Sequence, residues 1–317
     1  MRTKLWPKIK PYRKGYLKVS DGYKLYYELC GNEKGKPVLF VHGGPGAGCS
    51  ENDRRFFNPK KYSIILFDQR GAGRSKPFAS IKANTTWKLV EDINKLLQFL
   101  KIDKVFLFGG SWGSTLSLIY ATNYPETVTG MLLRGIFLGT KPEIKFLYGG
   151  AAALFFPDAW ERLASLAPAA KRNNLAAFIN YYLNKMLSKN KEEREKYTYE
   201  WARYELSLLK LNMPEKEVRK TMKEFNYRSL AVLEAHYLGK SCFLPQNYIL
   251  KNCGKLKIPV SIVHGRYDVI CAPSAAYALH KKLKQSKLFF TLAGHGSRDE
   301  GNVQRLVSEM ERMHRLI

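Results

Sequence analysis

The sequence of 317 residues has no apolar run approaching the roughly 20 residues that a membrane-spanning helix needs. Its first segment, MRTKLWPKIKPYRK, is basic but is followed by no apolar stretch, so it does not read as a signal peptide. The five cysteines (Cys30, Cys49, Cys242, Cys253 and Cys271) are odd in number and scattered, with no C-x-x-C pair. That argues against a disulfide framework or a zinc site, and for reduced thiols in a cytoplasmic protein. There is no internal repeat and no low-complexity linker. Acidic residues are scarce, 27 Asp and Glu against 53 Lys and Arg, which gives a formal net charge of +26. Such a surface attracts polyanions at low salt. The basic residues are nevertheless dispersed. The densest run, HKKLKQSK from His280, reads as the polar end of a helix and the loop after it. With no aromatic-rich basic strand and no recognition helix, specific nucleic-acid binding is not expected.

What is present is enough apolar material, 45% of residues, for a large core. KGYLKVSDGYKLYYEL alternates on both sides of Asp21-Gly22, as a β-hairpin does. The runs PVLFVHG, YSIILFDQ, KVFLFGG and VTGMLLRGI follow, each strand-like. NTTWKLVEDINKLLQFL, between the second and third, reads as a helix capped by Thr85 or Thr86. Its expected apolar face is Trp87, Val90, Ile93, Leu97 and Leu100, with Glu91 and Lys95 as an i,i+4 pair. Buried strands alternating with helices imply an α/β fold, a mostly parallel sheet with helices on both faces. From Lys141 to Gln246 the pattern turns helical, and IPVSIVHG and KLFFTLAGH then restore the alternation. The expected organisation is a core in two parts, residues 1–140 and 247–317, interrupted by a helical cap at 141–246.

Chemistry is concentrated at the turns. Gly109-Gly110-Ser111-Trp112-Gly113 is a G-x-S-x-G sequence placed where a strand passes into a helix. A sharp turn there lifts the serine above the sheet as a nucleophile. A serine nucleophile needs a base, and the base needs an orienting acid. Of six histidines, His295 follows directly on the run KLFFTLAG, and Asp268 in HGRYD lies just past the preceding strand. His264 falls within its strand, and His280 and His314 read as surface. The order Ser111, Asp268, His295 is that of α/β hydrolases. Backbone N–H groups of Trp112 and of Gly44, in His42-Gly43-Gly44-Pro45-Gly46, are the expected oxyanion donors. Asp68-Gln69-Arg70-Gly71-Ala72-Gly73-Arg74-Ser75 lacks the G-K-[ST] ending of a phosphate loop and is given a structural role beside the site.

HGGPG, DQRGAGRS, NTTWKLVEDI, GGSWGS, LRGIFL, HGRYD and the AGH loop, in this order and over nearly the whole chain, resemble the prolyl iminopeptidases (proline aminopeptidases) of the α/β-hydrolase superfamily. The resemblance implies a cofactor-free, metal-free serine peptidase that removes N-terminal proline from peptides, with the insertion covering the site. Two acids bear on it independently. Glu205 shares a helical face with Trp201, Leu208 and Leu209, and Glu234 with Leu230, Ala231, Tyr237 and Leu238. A carboxylate on an apolar face is costly unless paired, and a peptide's free amino group is a fitting partner. In the family, glutamates matching these two hold that amino end. By the same resemblance Phe137, Tyr148, Leu238 and the Cys271 thiol surround the proline ring. Leu238 stands where an aromatic is usual, which implies that alanine is partly accepted. The expected partners are peptides with a free N-terminal proline, with no specific nucleic acid and no membrane; oligomeric state is left open. A broader aminopeptidase or a carboxylesterase on the same fold is the near alternative, and a basic nucleic-acid-binding protein on a hydrolase scaffold the remote one.

Overall fold

A computed structural model describes residues 3–224 and 226–317. The apolar runs form the strands β1 (Pro11–Lys18), β2 (Lys24–Gly31), β3 (Lys36–Val41), β4 (Tyr62–Phe67), β5 (Val105–Gly110), β6 (Val128–Arg134), β7 (Val260–Gly265) and β8 (Ser286–Thr291). They make one eight-stranded sheet in the order β1-β2-β4-β3-β5-β6-β7-β8. The hairpin β1–β2 and the pair β2–β4 are antiparallel, and every other neighbour is parallel. Asp21 and Gly22 turn the hairpin with φ of 62° and 79°.

Helices α1 (Thr86–Phe99) and α2 (Trp112–Asn123) flank β5 in sequence. Between β6 and β7 the chain runs through α3 (Lys141–Leu147), α4 (Ala151–Phe155), α5 (Pro157–Ser165), α6 (Ala169–Arg172) and α7 (Leu175–Met186). It continues through α8 (Lys191–Ser207), α9 (Glu215–Glu224), α10 (Tyr227–Gly239) and α11 (Tyr248–Asn252), with no strand among the described residues of this stretch. Helix α12 (Pro273–Lys282) joins β7 to β8, and α13 (Glu300–Met313) follows.

The central strands β4, β5 and β7 are buried at every position, and mainly apolar, because both faces are covered. On β5, Val105 and Leu107 pack toward α1 and α2, whereas Phe106 and Phe108 pack toward Leu306, Val307 and Met310 of α13. Two details of α1 differ from expectation. Its buried face is Leu89, Val90, Ile93, Leu96 and Leu97, while Trp87 is exposed, with its indole N–H donated to the Phe243 carbonyl at 3.1 Å. That one bond, with an edge contact to Tyr248, draws the ring off the core face. Glu91 pairs with Lys88 at 3.1 Å rather than with Lys95, which is solvent-exposed. Thr85 caps the helix, accepting from the Lys88 N–H.

All five cysteines are free thiols. Among the described residues no helix is long and apolar enough to cross a membrane.

Candidate active site

Ser111 occupies the turn from β5 into α2 with φ 57° and ψ −128°, a strained conformation for a residue with a side chain. The flanking glycines are there because strand, helix and neighbouring loop meet. A Cβ on Gly109 would lie 2.3 Å from the Gly113 carbonyl oxygen, and one on Gly113 would lie 2.0 Å from that of Val41. Ser111 is buried to 8% relative exposure, so a substrate must reach it under the helices after β6.

His295 and Asp268 follow the C-terminal ends of β8 and β7, which gathers them at the same sheet edge as Ser111. His295 Nδ1 lies 2.8 Å from Asp268 Oδ2, while Asp268 Oδ1 accepts from the N–H groups of Ile270 (3.0 Å) and Cys271 (2.8 Å). Burial alone would raise the Asp268 pKa. The charge and hydrogen bond of His295, with the Cys271 N–H, outweigh it and hold the carboxyl below its ordinary value. A carboxylate accepting at Nδ1 leaves the Nε2 lone pair of His295 free to act as a base.

Sequence reasoning set His264 aside, yet it belongs to this network. Its Nδ1 accepts from the Ile136 N–H at 3.0 Å, so Nε2 carries the proton and donates to the Cys271 carbonyl at 2.9 Å. The same Nε2 is 3.5 Å from Asp268 Oδ2, and burial keeps the ring neutral by lowering its pKa. The signal available in the sequence was the spacing of His264 and Asp268 around the turn. Arg134, at the end of β6, donates to the His295 carbonyl and so fixes the loop from below.

The loop His42–Gly46 lies against the nucleophile, since a Cβ on Gly43 would be 3.2 Å from that of Ser111. Gly44 and Gly46 have φ of 108° and 99°, accessible to glycine and strained for other residues. Gln69 ties the loop to the elbow: its amide donates to the His42 carbonyl at 2.9 Å, and its carbonyl accepts from the Trp112 indole at 3.0 Å. The rest of the DQRGAGRS stretch is structural, as expected. Asp68 holds Arg74, and Arg70 makes a two-pronged bond to Asp92 at 2.5 and 2.9 Å.

From α8 and α10 the two glutamates come together. Glu205 and Glu234 lie close enough to act on each other's ionisation, and both are buried, at 7% and 3% exposure. Glu234 Oε2 also accepts from the Trp201 indole at 2.8 Å. Burial pushes the Glu234 pKa well up, with the neighbouring Glu205 adding to it; burial likewise raises Glu205, opposed by Glu234 and by the charge of His295. That last influence places the pair within electrostatic reach of His295. No donor among the described residues reaches Glu205 Oε2. The Tyr148 hydroxyl, near enough to Glu234 to favour its ionised form, makes no well-aligned hydrogen bond either.

The residues expected around the ring are all buried. Tyr148 stacks on Trp201 with centroids 4.6 Å apart, and the Ser111 hydroxyl lies close enough to Cys271 to influence its thiol. Burial, reinforced by Asp268, raises the Cys271 thiol pKa well above its ordinary value, which keeps it protonated and poorly nucleophilic. Phe137 is anchored by its backbone to Ser114 and Thr115 of α2. Leu238 lies in the main apolar cluster at 6% exposure, with no contact that sets it beside Ser111 in particular.

A parallel sheet with a strained serine elbow and a His–Asp pair at one edge defines a hydrolase of the α/β class. The family described as alpha/beta hydrolase fold matches residues 36–301. A probable proline iminopeptidase of Leptolyngbya boryana is 42% identical over 97% of this chain and 96% of its own length. A proline iminopeptidase of Arabidopsis thaliana is 42% identical over 99% of this chain and 83% of its own, and one of Xylella fastidiosa 41% over 97% and 98%. The chain therefore belongs to the proline iminopeptidase family of α/β hydrolases. Among solved structures, a thermophilic esterase from Thermogutta terrifontis aligns with TM-score 0.68 over 96% of this chain and 98% of its own, and the Rhodococcus esterase RhEst1 with 0.62 over 98% and 99%. At 18% and 17% identity these share the fold alone.

Proposed function

We propose that this protein is a cytoplasmic serine aminopeptidase that releases proline from the free N-terminus of peptides. The observation that carries the reading is the buried Glu205–Glu234 pair, at 7% and 3% exposure, with no lysine or arginine paired to either acid among the described residues and Glu205 Oε2 without a donor. A substrate's charged amino end would supply the donors that Glu205 lacks. A plain carboxylesterase has no use for such a pair. The peptides named by the relatives' activity carry that cation at the right end.

In this reading Ser111 Oγ attacks the first peptide carbonyl as its proton passes to His295 Nε2. The new negative charge on oxygen meets the N–H groups of Gly44 and Trp112, at the positive end of α2. Asp268 holds the imidazole in position and stabilises its charged form. Collapse expels the downstream amine, which takes the proton from Nε2, and leaves prolyl ester on Ser111. Water, deprotonated by the same nitrogen, then releases proline. Phe137, Tyr148, Leu238 and Cys271 form the apolar seat for the ring, and residues 141–246 act as the cap. None of these steps calls on a metal or cofactor.

The test is to compare a prolyl amide, its N-acetyl counterpart, alanyl and leucyl amides, and a short-chain ester. The reading expects strong preference for free proline, partial use of alanine and near-complete loss on acetylation. Equal cleavage of the acetylated and free compounds would defeat it.

A further inference from the structure

Helix α10 touches the site at three levels on one face. At its start, Ser229, fully buried, donates its hydroxyl to the Gly46 carbonyl at 2.8 Å. The backbone contact there is as close as it can be: a Cβ on Gly46 would lie 2.2 Å from the Ser229 carbonyl oxygen and 3.0 Å from Leu233 Cβ. Leu230 reaches Gly44 itself, its Cδ1 being 3.2 Å from where a Cβ on Gly44 would stand. One turn on is Glu234, and one further turn on Tyr237 packs edge-on against the Trp112 ring, centroids 4.9 Å apart. The helix that carries one acid of the amine site therefore also buttresses the residues on both sides of the oxyanion position.

The loop needs that support. Gly44 and Gly46 both have positive φ, and glycines give a loop many alternative conformations. An oxyanion donor is effective only when it is already aimed at the oxygen before charge develops. We propose that Ser229 is a positioning residue for the oxyanion loop, and that through α10 the docking of the substrate's amino end at Glu234 helps to set the Gly44 N–H. This rests on the aminopeptidase reading for the role of Glu234, but not for that of Ser229. The oxyanion forms in ester and amide hydrolysis alike, and in both acylation and deacylation.

The experiment uses Ser229→Ala, which removes the donor, and Ser229→Cys, which keeps the shape with a weaker one. Each is assayed on a prolyl amide and on a short-chain nitrophenyl ester, beside Glu234→Gln, with thermal melting to establish folding. Ser229→Ala is expected to lower kcat about tenfold on both substrates, a fraction of the 10²–10³ that deleting a donor outright costs. KM should change less than about twofold, because the displaced loop acts on the transition state and not on ground-state binding. Ser229→Cys should fall between. Glu234→Gln should lower kcat on the prolyl amide only. Unchanged kcat for Ser229→Ala on both substrates would overturn the proposal, as would a loss confined to the amide or one seen only in KM. Should the wild type cleave the ester but no prolyl amide, the aminopeptidase reading falls, while the ester arm still decides the part of Ser229.

Discussion

Replacing either acid of the Glu205–Glu234 pair with glutamine removes a charge and keeps the shape. Each carboxylate offers the substrate's ammonium one charge-assisted hydrogen bond, worth roughly 1.5–3 kcal/mol, and 1.4 kcal/mol corresponds to a factor of ten in rate. Glu205→Gln or Glu234→Gln should therefore lower kcat/KM for a prolyl amide by about one to two decades. The two changes should not add. The acids act on each other's ionisation, so the first substitution alters what the second acid can do, and the double variant should lose less than the product of the single effects. N-acetylation of the substrate removes the cation altogether and should cost at least as much as either substitution. A short-chain ester has no amine, so its hydrolysis should stay within about twofold in both variants. The assay is steady-state hydrolysis of the prolyl amide, its acetylated form and the ester, with melting curves showing that each variant folds. If both variants lose ester and amide activity in equal proportion, the pair is structural and the amine-receptor argument fails.

Ser111→Ala should abolish turnover and leave melting nearly unchanged, since alanine keeps the Cβ at the same strained φ of 57°; activity within tenfold of wild type would remove Ser111 as nucleophile. The raised Glu234 pKa means the folded state retains a proton that the unfolded chain releases above its ordinary carboxylate value, so this group makes stability fall as pH rises through that window. Glu234→Gln should accordingly raise Tm more at pH 8 than at pH 5, and the reverse order in melting scans would contradict the assignment. Asp92→Ala strands the Arg70 guanidinium, buried with Asp92 at 0% and 1% side-chain exposure, and should cost about 3–5 kcal/mol in denaturant unfolding. A loss under about 1 kcal/mol would show that the half-exposed Asp21 is a sufficient partner. With a net charge of +26, the protein should bind RNA weakly, without sequence preference, and lose it by about 150 mM salt; nanomolar selective binding at that salt would refute this.

Most of the parallel strands were legible because they are buried on both faces and so read as short, mainly apolar runs, and β8, only partly buried, still shows as KLFFT. Ser111, Asp268 and His295 were legible for a related reason. Chain order and strand ends alone bring them to one sheet edge, before any side-chain contact is known. The helices after β6 were legible only as helices. Their packing partners lie far apart in sequence, as with Tyr204 and the Leu147 carbonyl at 2.7 Å or Ser229 and that of Gly46, and no periodicity encodes such pairs. Trp87 shows the limit from the other side. Its spacing fits the buried face of α1, but one bond to the Phe243 carbonyl outweighs a pattern that sees only hydrophobicity. His264 was passed over because a histidine inside an apolar strand is ordinarily a satisfied core residue. It is satisfied, by the Ile136 N–H and by the carbonyl of Cys271, the residue whose N–H holds Asp268.

The acids of α8 and α10 were each conspicuous in sequence, but the reason to assign them a ligand emerges only from their surroundings. Fifty-three lysines and arginines are available in this chain, and a single one beside the pair would relieve the cost of burial. Among the described residues none pairs with Glu205 or Glu234; the neighbours that favour ionisation are the Trp201 indole N–H and the Tyr148 hydroxyl for Glu234, and Glu234 and His295 for Glu205. Elsewhere buried acids are matched with cations, Glu28 with Arg54 at 2.7 Å and Asp92 with Arg70 at 2.5 Å. The fold thus neutralises buried carboxylates where they serve structure. Among the described residues it provides no cation to Glu205 and Glu234, whose pKa values burial raises. A stability-driven arrangement would have closed this gap with a basic residue or an amide. One that must receive a charged amino end could not do so without blocking its own substrate.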